Sequence, residues 1–562
     1  MCLYIERFIG MRNYFLILFL LIFGATEAQK LKKEDKQLVA NLQAHIQYLA
    51  SDELQGRRTG TQGEALAMKY ISDKFKGVGL APKGTNDYLQ PFVINEGKQV
   101  NPSTHLIVGG QALTLYKDFF PLAFSGNASL EALPSMAIQE VQMPWFWDIK
   151  EVVEENKGNP HWDVYAAIEK KAEDAQKKSA TALFVFNTSA TKDNIQFKGS
   201  ERPSQLSIPV VYLTKEAVSK YFNDESATLD IKLKTDISPK SRTGNNVIGF
   251  IDNGAPTTIV FGAHFDHLGL GEDGNSLQQG SKDIHNGADD NASGISALIE
   301  LARMLKASSL KQNNYLFVAF SGEEQGLYGS KYFTENPTVD LGSVSYMINM
   351  DMIGRLNPSS PVLTVGGFGT SPSWGAVYNA TGKKSIYKGA LQFRFDSSGV
   401  GPSDHTSFYR KSIPVLFYFT GLHSDYHKPT DDADKINYTG ELQVIKHIYS
   451  LVEVQSRNAG KVAFTPTKEM QMNATASFKV TLGIMPDYSF SGNGVRVDGV
   501  TEGRPAQKAG LKAGDVIVKL GDHAIGSLES YMEALSKFNK GDKTTVYYNR
   551  GSENHSSPVE FQ

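Results

Sequence analysis

Three short apolar runs, each ending in a polar cluster, constrain this chain more than any other feature. Thr258-Ile259-Val260-Phe261 leads into His264-Phe265-Asp266-His267, and Tyr315 to Phe320 leads into Ser321-Gly322-Glu323-Glu324. Val344-Ser345-Tyr346-Met347-Ile348 leads into Asn349-Met350-Asp351-Met352. Between the first two lies Asn286-Gly287-Ala288-Asp289-Asp290-Asn291-Ala292-Ser293-Gly294, just ahead of a helical pattern. Continuous apolar runs of this length, alternating with helices, predict buried strands of a largely parallel sheet. The carboxyl ends of such strands face one crevice, where residues distant in sequence meet. The expected fold class is therefore α/β, a mixed, mostly parallel central sheet flanked by helices. Imidazoles and carboxylates delivered to one crevice have the chemistry of a metal site.

The chain has 562 residues, enough for three or four domains. Its 57 basic and 60 acidic residues leave a net charge of −3, which gives no electrostatic case for nucleic acid or an anionic membrane. Arg7 and Arg12 precede the apolar run Tyr14 to Phe23, and Ala25-Thr26-Glu27-Ala28 supplies small residues. That pattern predicts a signal peptide over residues 1–28, cleaved after Ala28, and a secreted or periplasmic protein. The apolar run is too short for a comfortable membrane span, so no transmembrane segment is expected in the mature protein. The single cysteine, Cys2, falls inside the signal, which leaves neither disulfides nor thiolate ligands.

Leu38, Leu42, Ile46 and Leu49 predict an amphipathic helix over 35–57, followed by the loop Gly56-Arg57-Arg58-Thr59-Gly60 and a helix over 64–75. These elements read as structural. Residues 30–92 and 243–457 form one unit, interrupted over 93–240 by an α+β insertion with its own short strands and the charged helix Val164 to Lys178. The insertion's order of helix, strand Ala182–Phe186, then a Pro-containing strand and helix resembles the protease-associated domains of secreted peptidases. Trp145, Trp147 and Trp162 read as packing residues. Residues 458–475 read as a linker. Over 476–562, Pro505-Ala506-Gln507-Lys508-Ala509-Gly510-Leu511, Ala513-Gly514-Asp515-Val516-Ile517 and Leu520-Gly521-Asp522 resemble a PDZ domain. The resemblance implies that Leu482-Gly483-Ile484-Met485 receives a peptide C-terminus by strand addition.

Zinc takes His nitrogen and carboxylate oxygen, and a catalytic site leaves room for water. Two such ions less than about 4 Å apart need a bridging carboxylate. His264, Asp290, Glu324, Asp351 and His427 supply the donors and the charge for two Zn²⁺ ions sharing a hydroxide. Over 35–92 and 245–457 the chain resembles the co-catalytic di-zinc aminopeptidases of bacterial leucyl aminopeptidase type. Their wider family includes glutamate carboxypeptidase, glutaminyl cyclases and the transferrin receptor. The resemblance implies that His264 and Asp351 hold one zinc, Glu324 and His427 the other, and Asp290 bridges them. It further implies a cis peptide bond between Asp290 and Asn291. Glu323 becomes the general base that takes a proton from water and passes it to the leaving amine. Asp266 orients a ligand imidazole with its carboxylate, and Tyr426 hydrogen-bonds the developing oxyanion.

The remaining candidates have plainer readings. His267, His285 and His423 are given loop or supporting roles, Asp289 a structural one, and Asp404-His405 shapes the pocket. His45, His161, His447 and His555 read as surface or packing residues. The expected activity is removal of N-terminal residues from peptides with a free N-terminus. Its alternatives are a carboxypeptidase, for which only Arg355 and Arg394 are nearby, a one-zinc glutaminyl cyclase, or an inactive scaffold reading peptides through the PDZ-like domain.

Overall fold

The computed structural model describes residues 31–157, 162–199, 205–224, 226–273, 275–278, 282–384, 391–458, 460–467, 480–486, 493–500, 503–526, 528–551 and 553–561. The expected signal peptide and His161 lie outside these residues. No helix among the described residues is long and apolar enough to cross a membrane.

Helix α1 (Lys33–Leu49) buries Leu38, Leu42, Ile46 and Leu49, the stripe that their spacing predicts. It does not continue to residue 57. Asp52–Arg57 instead form a tight 3₁₀ turn in which Gln55 and Gly56 take φ of 45° and 67°. A straight helix would carry Arg57 about 12 Å beyond Leu49. The turn brings it back, and its guanidinium donates to the main-chain oxygens of Leu49, Phe265, Asn286 and Gly287. Helix α2 (Gln62–Val78) starts at the Thr61 cap and ends on Gly79, whose φ of 82° suits a residue without a Cβ.

Strands β1 (Leu89–Val100) and β2 (Ile237–Ile251) form a long antiparallel ribbon. From β2 the main sheet continues through β3 (Thr258–His264), β4 (Asn314–Phe320), β5 (Val344–Met350), β6 (Val362–Gly366), β7 (Gln392–Phe395) and β8 (Val415–Phe419). Its order is Ala81–Pro82, β2, β4, β3, β5, β8, β6, β7, with β1 on β2. The central pairs β3 with β4, β3 with β5, and β5 with β8 are parallel. Antiparallel pairing appears where β2 joins β4 and where β6 joins β8. The expected mostly parallel sheet is thus present. Strands β3, β4 and β5 are almost wholly buried, as unbroken apolar runs require. Helix α3 (Gly294–Ala307) and helix α4 (Tyr438–Gln455) share one apolar cluster with α1 and α2, over one face of the sheet.

Between β1 and β2 the chain builds two four-stranded sheets with their own buried clusters. Ala182–Phe186 lies in one of them, parallel to both Pro144–Asp148 and Val210–Leu213. Trp145 is buried in this segment and donates to Glu140 O. Part of the stretch expected as a linker is attached to the main unit: Thr465 N donates to Thr370 O, and Thr467 meets the Tyr409 hydroxyl. Val462 is buried in the main core. The last described segments form a six-stranded sheet around Val497, Leu511, Ile517 and Val546.

Candidate metal centre

Parallel pairing aligns the carboxyl ends of β3, β4 and β5. His264 stands opposite Phe320 in the register, and Gly262 stands opposite Asn349. Glu323 and Glu324 follow the end of β4, and Asp351 follows β5, so all three carboxylates emerge beside His264. Asp290 enters from the turn before α3. Its peptide bond to Asn291 is cis, as the resemblance implies. Asn291 holds this turn by donating to Met350 O and accepting from Gly294 N and Met352 N. Asp431 accepts from the main-chain N–H groups of both Asp289 and Asp290.

The five expected ligands meet around Asp290. His264 Nε2 lies 3.4 Å from Asp290 Oδ1 and 3.3 Å from Asp351 Oδ1. His427 Nε2 lies 3.3 Å from Asp290 Oδ2 and 3.2 Å from Glu324 Oε2. Donors on one tetrahedral zinc, bonded at about 2.0–2.2 Å, are about 3.3–3.6 Å apart. All four separations match that edge to within a tenth of an ångström, and each oxygen of Asp290 faces its own imidazole. Both imidazoles are fixed through the opposite nitrogen. His264 Nδ1 is 3.1 Å from Asp266 O, and His427 Nδ1 is 3.0 Å from Asn275 O.

The electrostatics also fit cations. Burial pulls the His264 and His427 imidazoles down, yet the surrounding carboxylates overcome it and leave both well above the usual histidine range. In the metal-free protein, protons would supply the positive charge that these carboxylates demand. Glu323 stands beside this set and is partly accessible. Desolvation raises its carboxyl well above the usual range, with Asp351, Asp404 and Glu324 adding to the push against His264. A carboxyl poised that way can both accept and return a proton.

One supporting group sits differently from expectation. The Asp266 carboxylate is 3.7 Å from His264 Nδ1, beyond hydrogen-bond length, and the main-chain oxygen of Asp266 takes that role. Its carboxylate is occupied by Thr59 Oγ1 at 3.1 Å and Glu323 N at 3.2 Å, so Asp266 holds the main chain at Glu323. Tyr426 stacks on the ring of His427 with centroids 3.9 Å apart. His423 lies 3.2 Å from Asp289, and His405 stacks on Phe417.

Sequence reasoning passed over Arg57, Thr59 and Glu64, treating their segment as structural only. Glu64 accepts from Gly60 N, Asn245 N and Ser321 Oγ, which ties α2 to the turn that carries Glu323. Glycines flanking an arginine between two helices were the available signal for a buried turn. Ser403, next to the Asp404-His405 pair, donates its hydroxyl to Asp351 Oδ2 at 2.7 Å.

Residues 246–452 match the pattern of Peptidase family M28, and residues 462–560 match that of a PDZ domain. Leupeptin-inactivating enzyme 1 of Streptomyces exfoliatus is 30% identical over 197 residues, 34% of this chain and 39% of the relative. Aminopeptidase YwaD of Bacillus subtilis is 25% identical over 322 residues, 55% of this chain and 64% of the relative. The matched region thus spans less than two thirds of either curated relative. Among solved structures, a zinc aminopeptidase from Bacillus subtilis aligns with a TM-score of 0.41 at 20% identity, covering 76% of this chain and 98% of that one. An aminopeptidase from Aneurinibacillus sp. strain AM-1 aligns with a TM-score of 0.40 at 22% identity, covering 76% and 96%. Over residues 246–452 the chain is thus similar to Peptidase family M28, and over 462–560 to PDZ domains.

Proposed function

We propose that this protein is an exported, zinc-dependent aminopeptidase that removes N-terminal residues from peptides. The observation that carries the reading is the sharing of one carboxylate, Asp290, between two imidazoles at ligand spacing, with Glu323 beside them. His264, Asp351 and Asp290 would hold one Zn²⁺, and His427, Glu324 and Asp290 the other. When bound, the pair supplies Lewis acidity toward water and the scissile carbonyl. Glu323 takes the proton of the attacking water and delivers it to the departing amine, while its main chain is held by Asp266. Tyr426, stacked on His427, would donate to the carbonyl oxygen as negative charge develops there.

Relatives named as aminopeptidases support this choice of reaction. Against a carboxypeptidase, Arg355 is committed to Asp425 and to Lys435 O instead of a substrate carboxylate. The N-terminal pattern over 1–28 supports export. The segment between β1 and β2 reads as a protease-associated module. In the PDZ domain, Ile484–Pro486 is an edge strand of its sheet, paired with Val495–Val500, and this favours peptide capture by strand addition.

The test is hydrolysis of aminoacyl-p-nitroanilides by purified full-length protein. Activity is expected on free but not N-acetylated substrates, to be lost on chelation, and to return with Zn²⁺. Cleavage that tolerates a blocked N-terminus would overturn the exopeptidase reading.

A further inference from the structure

His267 lies three residues beyond His264, and its ring is buried against the same carboxylates. Its Nδ1 is 2.7 Å from Glu324 Oε1 and 3.8 Å from Asp290 Oδ2, so its donor groups with theirs within 4.8 Å. Two readings compete: a further ligand of the second ion, or a hydrogen-bond donor to one of its ligands.

The distances separate them. Ligands of one tetrahedral zinc are about 3.3–3.6 Å apart. One His267 spacing is too short for that edge and the other too long. The short one is an ordinary N–H to carboxylate hydrogen bond. Glu324 also divides its oxygens: Oε2 faces His427 at 3.2 Å, while Oε1 faces His267. The other terminal carboxylate is divided the same way. Asp351 Oδ1 faces His264 at 3.3 Å, and Oδ2 accepts from Ser403 Oγ, which is itself held by Asn349 Nδ2. Each terminal carboxylate thus offers one oxygen to a cation and has the other tied to the protein.

The tautomer follows from the surroundings. His267 Nε2 is buried and meets no hydrogen-bond partner among the described residues. A bare acceptor nitrogen there is less costly than a buried, unpaired N–H. Nδ1 therefore carries the hydrogen and donates to Glu324. The ring is held in this pose by Gly287, where an added Cβ would sit 2.5 Å from His267 Cδ2.

We propose that His267 is a positioning residue, whose Nδ1–H fixes Glu324 Oε1 and so presents Oε2 alone to the second cation. The proposal rests on the two-ion reading above. It predicts that losing this donor weakens one ion and spares the other, by about 10- to 100-fold in affinity, as for other groups that orient metal ligands.

The experiment is zinc binding to metal-free full-length protein, by competition with a chromophoric chelator and by bound metal after dialysis. Wild type, His267→Ala and His267→Asn are compared. The amide nitrogen of Asn can occupy the Nδ1 position. Wild type is expected to bind two equivalents. His267→Ala should keep the first affinity and lose about 10- to 100-fold in the second, and His267→Asn should recover most of that loss. A second affinity in His267→Ala within threefold of wild type overturns the proposal. So does loss of the second ion in His267→Ala with no rescue by His267→Asn, which would make the imidazole a ligand. Wild type that binds fewer than two equivalents overturns the two-ion reading itself. Melting of the metal-free proteins checks folding, and a misfolded Ala variant leaves the Asn variant to decide: an affinity near wild type supports donation, and a lost second ion refutes it.

Discussion

Replacing Arg57 with Met is the sharpest test of how this site is assembled. The side chain is buried, and desolvation lowers its pKa to about 10 against the pull of Asp290, Asp266, Asp431 and Glu324. Its guanidinium donates to four main-chain oxygens, on Leu49, Phe265, Asn286 and Gly287. These oxygens belong to the end of α1, the loop after His264 and the loop before Asp290. Bonds from a charged donor contribute about 2 kcal/mol each. Relief of the buried charge returns about 3 kcal/mol, from the size of the shift. The net loss is roughly 3–5 kcal/mol, in the range seen on breaking buried ionic networks. For a domain of this size that lowers the melting temperature by roughly 6–20 °C. Calorimetry of the full chain, with and without Zn²⁺, measures the transition of the unit that carries the site. Arg57→Lys keeps the charge but lacks the planar fork, so it should recover only part of the loss. A Met variant melting within about 2 °C of wild type would refute the argument, as would full rescue by Lys.

Two further outcomes follow from other parts of the molecule. Glu323→Gln should lower kcat by roughly 10²–10⁴-fold while both ions remain bound; activity within tenfold of wild type, or loss of metal, would remove Glu323 from its role. His447 sits in an aromatic box with Phe393 and Tyr378, and burial lowers its pKa from 6.5 to about 3. The unfolded chain then binds this proton first, so the stability is complete above about pH 6.5 and is lost as pH falls toward 3. His447→Phe should flatten the acid limb by about 1.4 kcal/mol per pH unit, read as a smaller fall in melting temperature between pH 7 and 4; parallel curves would count against it.

The strands carrying the site were legible because burial on both faces leaves an unbroken apolar run, as β3, β4 and β5 show. The candidate ligands could be picked out because zinc chemistry limits the residue types and the clusters stand at strand ends. The segment 52–64 was misread because its importance lies in bonds to residues some two hundred positions away, which leave no periodic trace. Asp266 shows the same limit at short range: its neighbourhood to His264 was clear, but whether its carboxylate or its main chain faced the ring was not. The attachment of Val462 and Thr467 to the main unit was not legible, because they look like any polar-flanked loop until the surface beneath them exists.

What the sequence determined by itself was local: which runs must be buried, which residues can bind a cation, and that a PDZ-like module follows the unit that carries the site. Such properties follow from side-chain chemistry and from the two- and 3.6-residue periods of strands and helices. The tertiary structure decided the long-range choices. It gave each oxygen of Asp290 to a different imidazole, turned Arg57 back into the core, set the Asp266 carboxylate on Glu323, and placed His267 against Glu324. Each of these depends on a few ångströms between segments far apart in the chain, and only the packing of α1, α2 and the sheet sets such distances.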